Sequence, residues 1–350
     1  MNQRYSVEQV LGHGGMSTVY LALDRKLGSR VAVKRLDVRR MAPDEASQVA
    51  AQFEREARLL ASLDHHGLVH VLDYFVEEGL PHLVTAFIEG RDLQCLIDTA
   101  VHEPDVETIL GWADQICEVL EYLHAHEPTI LFRDLKPANV MLGTDQRVRL
   151  IDFGIARLFC PRKETTVLLR GFGTPGYAPL EQYGGGTDPR SDIYALGATL
   201  YALLTRKAPP DAVSRAAGGA RVEPPSALNP AVWPAIDQVV HRMMAISKDE
   251  RYSSVGEARR ALHQTRPSLF GPGTPVVRFC PHRDLPTAVP ARSSTRSDPL
   301  RFRYPYTVIC RGDYARVERA MKGCGMPGLA FYQNEFNGIL PGYWMALVIH

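Results

Sequence analysis

The chain has 350 residues, 40 Lys and Arg against 39 Asp and Glu, a formal net charge of +1 and 45% hydrophobic content. That length suits two domains, the apolar share is enough for packed cores, and the near-neutral charge argues against nucleic acid as the main partner. No apolar run approaches the roughly 18 residues of a membrane span, and Met1–Tyr5 lacks a signal-peptide core, so a cytoplasmic location without a membrane span is expected.

In chain order, the first signal is the glycine cluster Leu11-Gly12-His13-Gly14-Gly15-Met16-Ser17-Thr18-Val19. Such a cluster makes either a plain hairpin turn or a loop whose N–H groups approach phosphate closely, because glycine has no Cβ. Val31-Ala32-Val33-Lys34 alternates small apolar residues and ends in a cation, as a strand does. From Ala46 to Leu63, Phe53, Ala57 and Leu60 recur at helical spacing, with Glu54 and Glu56 as candidate carboxylate partners for Lys34. The stretch from Leu83 to Gly90 reads as a strand running into a link. Next comes Leu131-Phe132-Arg133-Asp134-Leu135-Lys136-Pro137-Ala138-Asn139, followed by Asp152-Phe153-Gly154. Two Asp, a Lys and an Asn thus arrive in the order that metal-assisted phosphoryl transfer needs. Asp134 can orient a hydroxyl and accept its proton, and Lys136 can neutralise a moving phosphoryl group. Asn139 and Asp152 offer oxygen ligands to Mg²⁺. Asp192 opens an apolar helix running to Leu204.

From about Tyr5 to about Gln264 this succession resembles a bacterial Hanks-type, or eukaryotic-like, serine/threonine protein kinase. The resemblance implies an α+β, bilobal fold over residues 1–265, with an antiparallel N-lobe sheet, one main N-lobe helix and a mostly helical C-lobe. It implies ATP as cofactor with Mg²⁺, or Mn²⁺ in its place. The nucleotide would lie against Leu11, Gly12, Gly14, Gly15, Val19, Ala32 and Met141, with Lys34 reaching its phosphates and Glu56, preferred to Glu54, pairing with Lys34. Thr85 would be the gatekeeper, Ala86 and Ile88 would present backbone hydrogen bonds to adenine, and Asp92 would sit near the ribose. Asp134 and Lys136 would be catalytic, and Asn139 and Asp152 would hold metal.

Three departures from the family pattern are visible. Ser17 replaces the third glycine and bears on loop geometry more than on nucleotide binding. Phe132 stands where the family usually has His, with an aromatic ring implied to pack behind Phe153. Leu180 replaces the Pro of an Ala-Pro-Glu motif, while Glu181 is kept and Arg251 is available as its ion-pair partner. Lys136 two residues after Asp134 marks the serine/threonine branch, and Thr174 would bridge Asp134 and Lys136. The Asp192 carboxylate would hold the catalytic-loop backbone, beside a role as helix cap. Protein substrates follow, the chain itself among them: Thr165 or Thr166, beside Arg162 and Lys163, would be autophosphorylated and the phosphate received by Arg133. The alternative function is a nucleotide-binding pseudokinase that scaffolds a partner, and intact metal and base residues favour the enzyme. The resemblance leaves a homodimer open.

Beyond the kinase-like region, residues 266–300 carry Pro267, Pro272, Pro275, Pro281, Pro286, Pro290 and Pro299 and read as a linker that forms neither helix nor central strand. Residues 301–350 read as a small α+β module with strands Tyr304–Cys310, Leu329–Tyr332 and Tyr343–Ile349 and a helix Ala315–Lys322. Its last apolar run resembles the final strand of SPOR-like repeats. Without an export signal their glycan binding is not carried over, and protein docking or substrate recruitment is expected instead. The six cysteines contain no Cys-x-x-Cys pair and read as reduced thiols. Cys280-Pro281-His282 lacks the second Cys pair of a zinc knuckle.

Overall fold

The computed structural model describes residues 1–39, 41–99, 104–152, 173–184 and 186–266, together with the backbone of four strands further on. Phe153, Arg162, Lys163, Thr165, Thr166 and the expected helix at 315–322 lie outside the described residues. The chain divides into two units, Met1–Arg266 and Pro267–His350.

The first unit begins with five antiparallel strands, β1 (Tyr5–His13), β2 (Ser17–Asp24), β3 (Ser29–Leu36), β4 (Val71–Glu77) and β5 (Leu80–Ala86), in the order β1-β2-β3-β5-β4. Register puts Val19 opposite Lys34 and Ala32 opposite Thr85. Since side chains alternate along a strand, these four share one face of the sheet. The other face buries Tyr5, Ala22, Val31, Val33 and Val84, closed by a stack in which the Phe75 ring lies 5.7 Å from Tyr5 and 4.7 Å from His82. Helix α1 (Pro43–Ala61) buries Phe53, Glu56, Ala57 and Leu60. It starts earlier than the apolar spacing suggests because Pro43 presets the first helical φ, and Asp44 and Glu45 favour the positive helix end.

A small sheet of β6 (Gly90–Asp92), β7 (Val140–Gly143) and β8 (Val148–Leu150) joins this layer to the helices. Those are α2 (Leu93–Asp98), α3 (Val106–His124), α4 (Glu181–Gly184), α5 (Pro189–Thr205), α6 (Ala212–Ala216), α7 (Pro225–Leu228), α8 (Pro234–Met243) and α9 (Val255–Thr265). Every residue of α5 from Ser191 to Thr205 is buried, so α5 is the axis on which the others pack. It starts at Pro189, not at Asp192. Asp188 is the cap, accepting from the Arg190 N–H and closing a capping box with Ser191, with Pro189 in the first turn. Asp192 is therefore free of cap duty and points elsewhere, fully buried. No helix among the described residues is long and apolar enough to cross a membrane.

Glu181 and Arg251 meet as expected, at 2.6 and 3.0 Å, and the Leu180 substitution does not disturb them. The Arg251 guanidinium has no exposure and also donates to the carbonyls of Ala245, Arg190 and Ile246. A buried cation with this many acceptors locks α4, the start of α5 and the turn after α8 in one arrangement.

In the second unit, β9 (Val276–Pro281), β10 (Tyr306–Arg311), β11 (Leu329–Tyr332) and β12 (Tyr343–Val348) form an antiparallel sheet in the order β11-β12-β10-β9. Strand β9 falls inside the stretch read as linker. Its place at the sheet edge, with Pro281 as its last residue, explains how a proline-rich segment supplies a strand: no interior ladder N–H is lost. The other three strands fall within two residues of their expected ends.

Arg251→Met is expected to lower stability by about 3–5 kcal/mol, because it leaves the half-buried Glu181 carboxylate and three carbonyls without their donor. Denaturant unfolding of the two proteins checks this, and a loss within the error of extrapolation would contradict it.

Candidate active site

The catalytic loop is held by one buried carboxylate. Asp192 accepts the Phe132 N–H at 2.9 Å, the Arg133 N–H at 2.8 Å and His124 Nε2 at 2.8 Å. Phe132 itself is fully buried and belongs to the main core. Arg133 adopts φ 66°, a left-handed conformation that a side chain with Cβ takes only when its surroundings enforce it.

This turn presents Asp134 to three donors. Its Oδ2 accepts Lys136 Nζ at 3.0 Å and Asn139 Nδ2 at 2.9 Å, and its Oδ1 accepts the Thr174 hydroxyl at 3.2 Å. Lys136 Nζ also donates to Thr174 Oγ1 at 2.9 Å, so the expected bridge is present. Asn139 spends its amide nitrogen on Asp134, side chain and carbonyl alike, which leaves Oδ1 as its atom for a cation. Asp152, the second cation ligand of the sequence reading, has φ 65° and is ion-paired with Lys34.

That last contact departs from expectation. Lys34 pairs with Asp152, and no Lys34–Glu56 ion pair is formed among the described residues. Glu56 does face inward, at 5% exposure, whereas Glu54 pairs with Arg58 on the surface. Glu56 Oε1 accepts Gln52 Nε2 at 2.9 Å, and Oε2 is buried with no partner. Burial, only partly offset by Gln52 and Lys34, pushes the Glu56 carboxyl up to about 7. The physical reason for the altered pairing is solvation: Lys34 sits with the half-exposed Asp152 while the desolvated Glu56 drifts toward neutrality.

The residues expected on the nucleotide side differ in exposure. Leu11 is exposed, Thr85 is half-buried, and Val19, Ala32, Ala86, Ile88 and Met141 are half-buried apolar residues that the protein itself does not finish covering. A Cβ on Gly12 or Gly15 would meet no protein atom within 4 Å, so nothing in the protein's own packing fills the space beside them. Gly14 is the tight point of the turn: its N–H bonds Ser17 O at 2.7 Å, and a Cβ there would lie 3.1 Å from Ser17 Oγ. The Ala86 N–H is already spent on His70 O, so Ala86 can offer adenine only its carbonyl. Asp92 Oδ1 accepts the Cys95 N–H at 2.7 Å and caps α2, leaving Oδ2 alone for a ribose.

These residues fit a magnesium nucleotide. Among the described residues no three His, Cys, Asp or Glu side chains gather to hold a metal by themselves. Asn139 Oδ1 and Asp152 supply two oxygens, and Mg²⁺ takes few protein ligands because phosphate oxygens and water fill its shell. Sequence reasoning missed Gln52, His124 and Gln182. The Asp188-Pro189 cap signature was legible and was passed over for Asp192.

Glu56→Gln tests the electrostatics. Because the folded carboxyl titrates above its ordinary value, the native state carries an extra proton between about pH 4.5 and 7. The cost of the buried charge therefore appears as pH rises through that window and is complete above it. Glu56→Gln should raise stability at pH 8 by up to about 3 kcal/mol, with the gain fading by pH 5. Thermal melts at the two pH values check this, and an equal change at both would contradict it.

A family model of the protein kinase domain matches residues 5–263. The chain is 37% identical over 270 residues to "Probable serine/threonine-protein kinase SCO3848" of Streptomyces coelicolor, covering 73% of this chain and 39% of that protein. It is 35% identical over 265 residues to "Serine/threonine-protein kinase Pkn1" of Myxococcus xanthus, covering 72% of this chain and 37% of that one. The chain thus spans well under half the length of either relative. The solved structure "PpkA-294 apo form" superposes with a TM-score of 0.64 at 28% identity, covering 74% of this chain and 96% of that one. With Lys136, Asn139 and Thr174 gathered around Asp134 and the match running through both lobes, the chain belongs to the protein kinase family, in its bacterial Hanks-type serine/threonine branch.

Proposed function

We propose that the chain transfers the γ-phosphoryl group of ATP to serine and threonine hydroxyls of proteins, itself included. The observation that carries this reading is Asp134 held by Lys136, Asn139 and Thr174 in one hydrogen-bonded set. Asp134 is placed to orient the incoming hydroxyl and take its proton, and Lys136 to neutralise charge as the phosphoryl moves. Asn139 Oδ1 and Asp152 would hold Mg²⁺, which would supply positive charge beside the nucleotide phosphates. The unpartnered Glu56 Oε2 would offer Lys34 a second carboxylate besides Asp152. A cytoplasmic setting, where ATP is available, is supported by the free thiols Cys95 and Cys117.

Lys34→Ala, Asp134→Asn and Asp152→Ala are each expected to reduce phosphotransfer by about a hundredfold or more while leaving a folded protein. An assay with Mg-ATP and a generic protein acceptor, beside the parent, checks this. A parent that binds nucleotide and transfers nothing would support the scaffold reading instead.

Autophosphorylation on Thr165 or Thr166 rests on the retained Arg133 and on the cations Arg162 and Lys163 beside them. Mass spectrometry after incubation with Mg-ATP should find this loop modified in the parent and unmodified in Asp134→Asn. An unmodified loop in an active parent would end that proposal.

A further inference from the structure

Asp134 needs a fixed direction, yet the residue before it sits in a left-handed conformation that relaxes unless both flanking peptide planes are restrained. The plane joining Phe132 to Arg133 is held through the Arg133 N–H by Asp192 at 2.8 Å. In the plane joining Arg133 to Asp134, the Asp134 N–H donates to Phe132 O at 2.9 Å. The carbonyl of that same plane, Arg133 O, accepts Gln182 Nε2 at 3.1 Å. A carbonyl can only accept, so the amide nitrogen of Gln182 is the end that faces it.

Gln182 stands on a firm base. It follows Glu181, which Arg251 clamps in a bidentate pair, and its own N–H donates to Pro179 O at 3.1 Å. The segment from Thr174 to Gln182 thus reaches Asp134 twice: the Thr174 hydroxyl touches the carboxylate, and Gln182 holds the backbone. We propose that Gln182 is a positioning residue, setting the Arg133–Asp134 peptide plane and with it the direction of the Asp134 carboxylate. Its kinetic consequence rests on the kinase reading above; its structural consequence does not.

Two near-isosteric variants test it, Gln182→Glu and Gln182→Met, neither of which can donate to Arg133 O as an ionised or apolar side chain. In single-turnover phosphotransfer at saturating Mg-ATP, both should be about tenfold slower, as expected for one lost hydrogen bond. KM for ATP should stay within twofold, since no nucleotide-side residue is altered. By hydrogen exchange, the amides of 132–134 should exchange about tenfold faster in both variants, with α3 and α5 unchanged. Parent-like exchange at 132–134, or parent-like turnover in an active protein, overturns the proposal. So does a uniform rise in exchange across the domain, which would mark a merely structural role. If the parent itself transfers no phosphate, the kinase reading falls and the exchange measurement alone decides the positioning role.

Discussion

The buried carboxylate of Asp192 is the constraint on which the active centre depends. It is fully removed from water and accepts two backbone N–H groups and one imidazole nitrogen. A desolvated charge is tolerable only when its lone pairs are met, so the three donors cannot leave without a large penalty. That obligation makes the catalytic loop rigid and sustains the unfavourable φ at Arg133. The carboxylate can serve this purpose because Asp188 and Pro189 start helix α5 one turn earlier and relieve Asp192 of capping.

Helix α5 turns this local grip into a global one. Its buried surface faces α3, α8 and α9, and Arg251 ties the start of α5 to the segment carrying Glu181. Groups that would meet a protein substrate, those that would move the proton and those that form the core are therefore parts of one packed body. Gln182 lies next to Glu181 in this body and reaches the Arg133 carbonyl directly.

The nucleotide side is softer. Lys34 has two carboxylates within reach of its strand and pairs with the more hydrated one, while Glu56 keeps an unmet oxygen in a buried place. A buried carboxyl pushed up to about 7 is poised between neutral and charged near physiological pH. A fixed C-lobe and a charge-adjustable N-lobe suit a site that must both align a hydroxyl and admit a ligand carrying several negative charges.

The chemistry was legible from sequence because it is carried by residue types in fixed local order. Asp134, Lys136 and Asn139 lie within one short turn, so their contacts follow from proximity along the chain. Apolar periodicity likewise located α1 and the strand that carries Lys34, and the alternation after residue 300 located β10, β11 and β12. Local pattern misplaced what depends on partners distant in sequence. Which carboxylate Lys34 chooses depends on the relative solvation of Asp152 and Glu56, and solvation is a property of the assembled interior. Whether the proline-rich stretch after residue 266 contains a strand depended on a free sheet edge beside β10. The sequence by itself determined the family and the order in which its motif residues arrive. Only the tertiary structure decided how those groups are held, because Asp192, Gln182 and Arg251 act on backbone carbonyls and N–H groups far along the chain, whose positions no residue type announces.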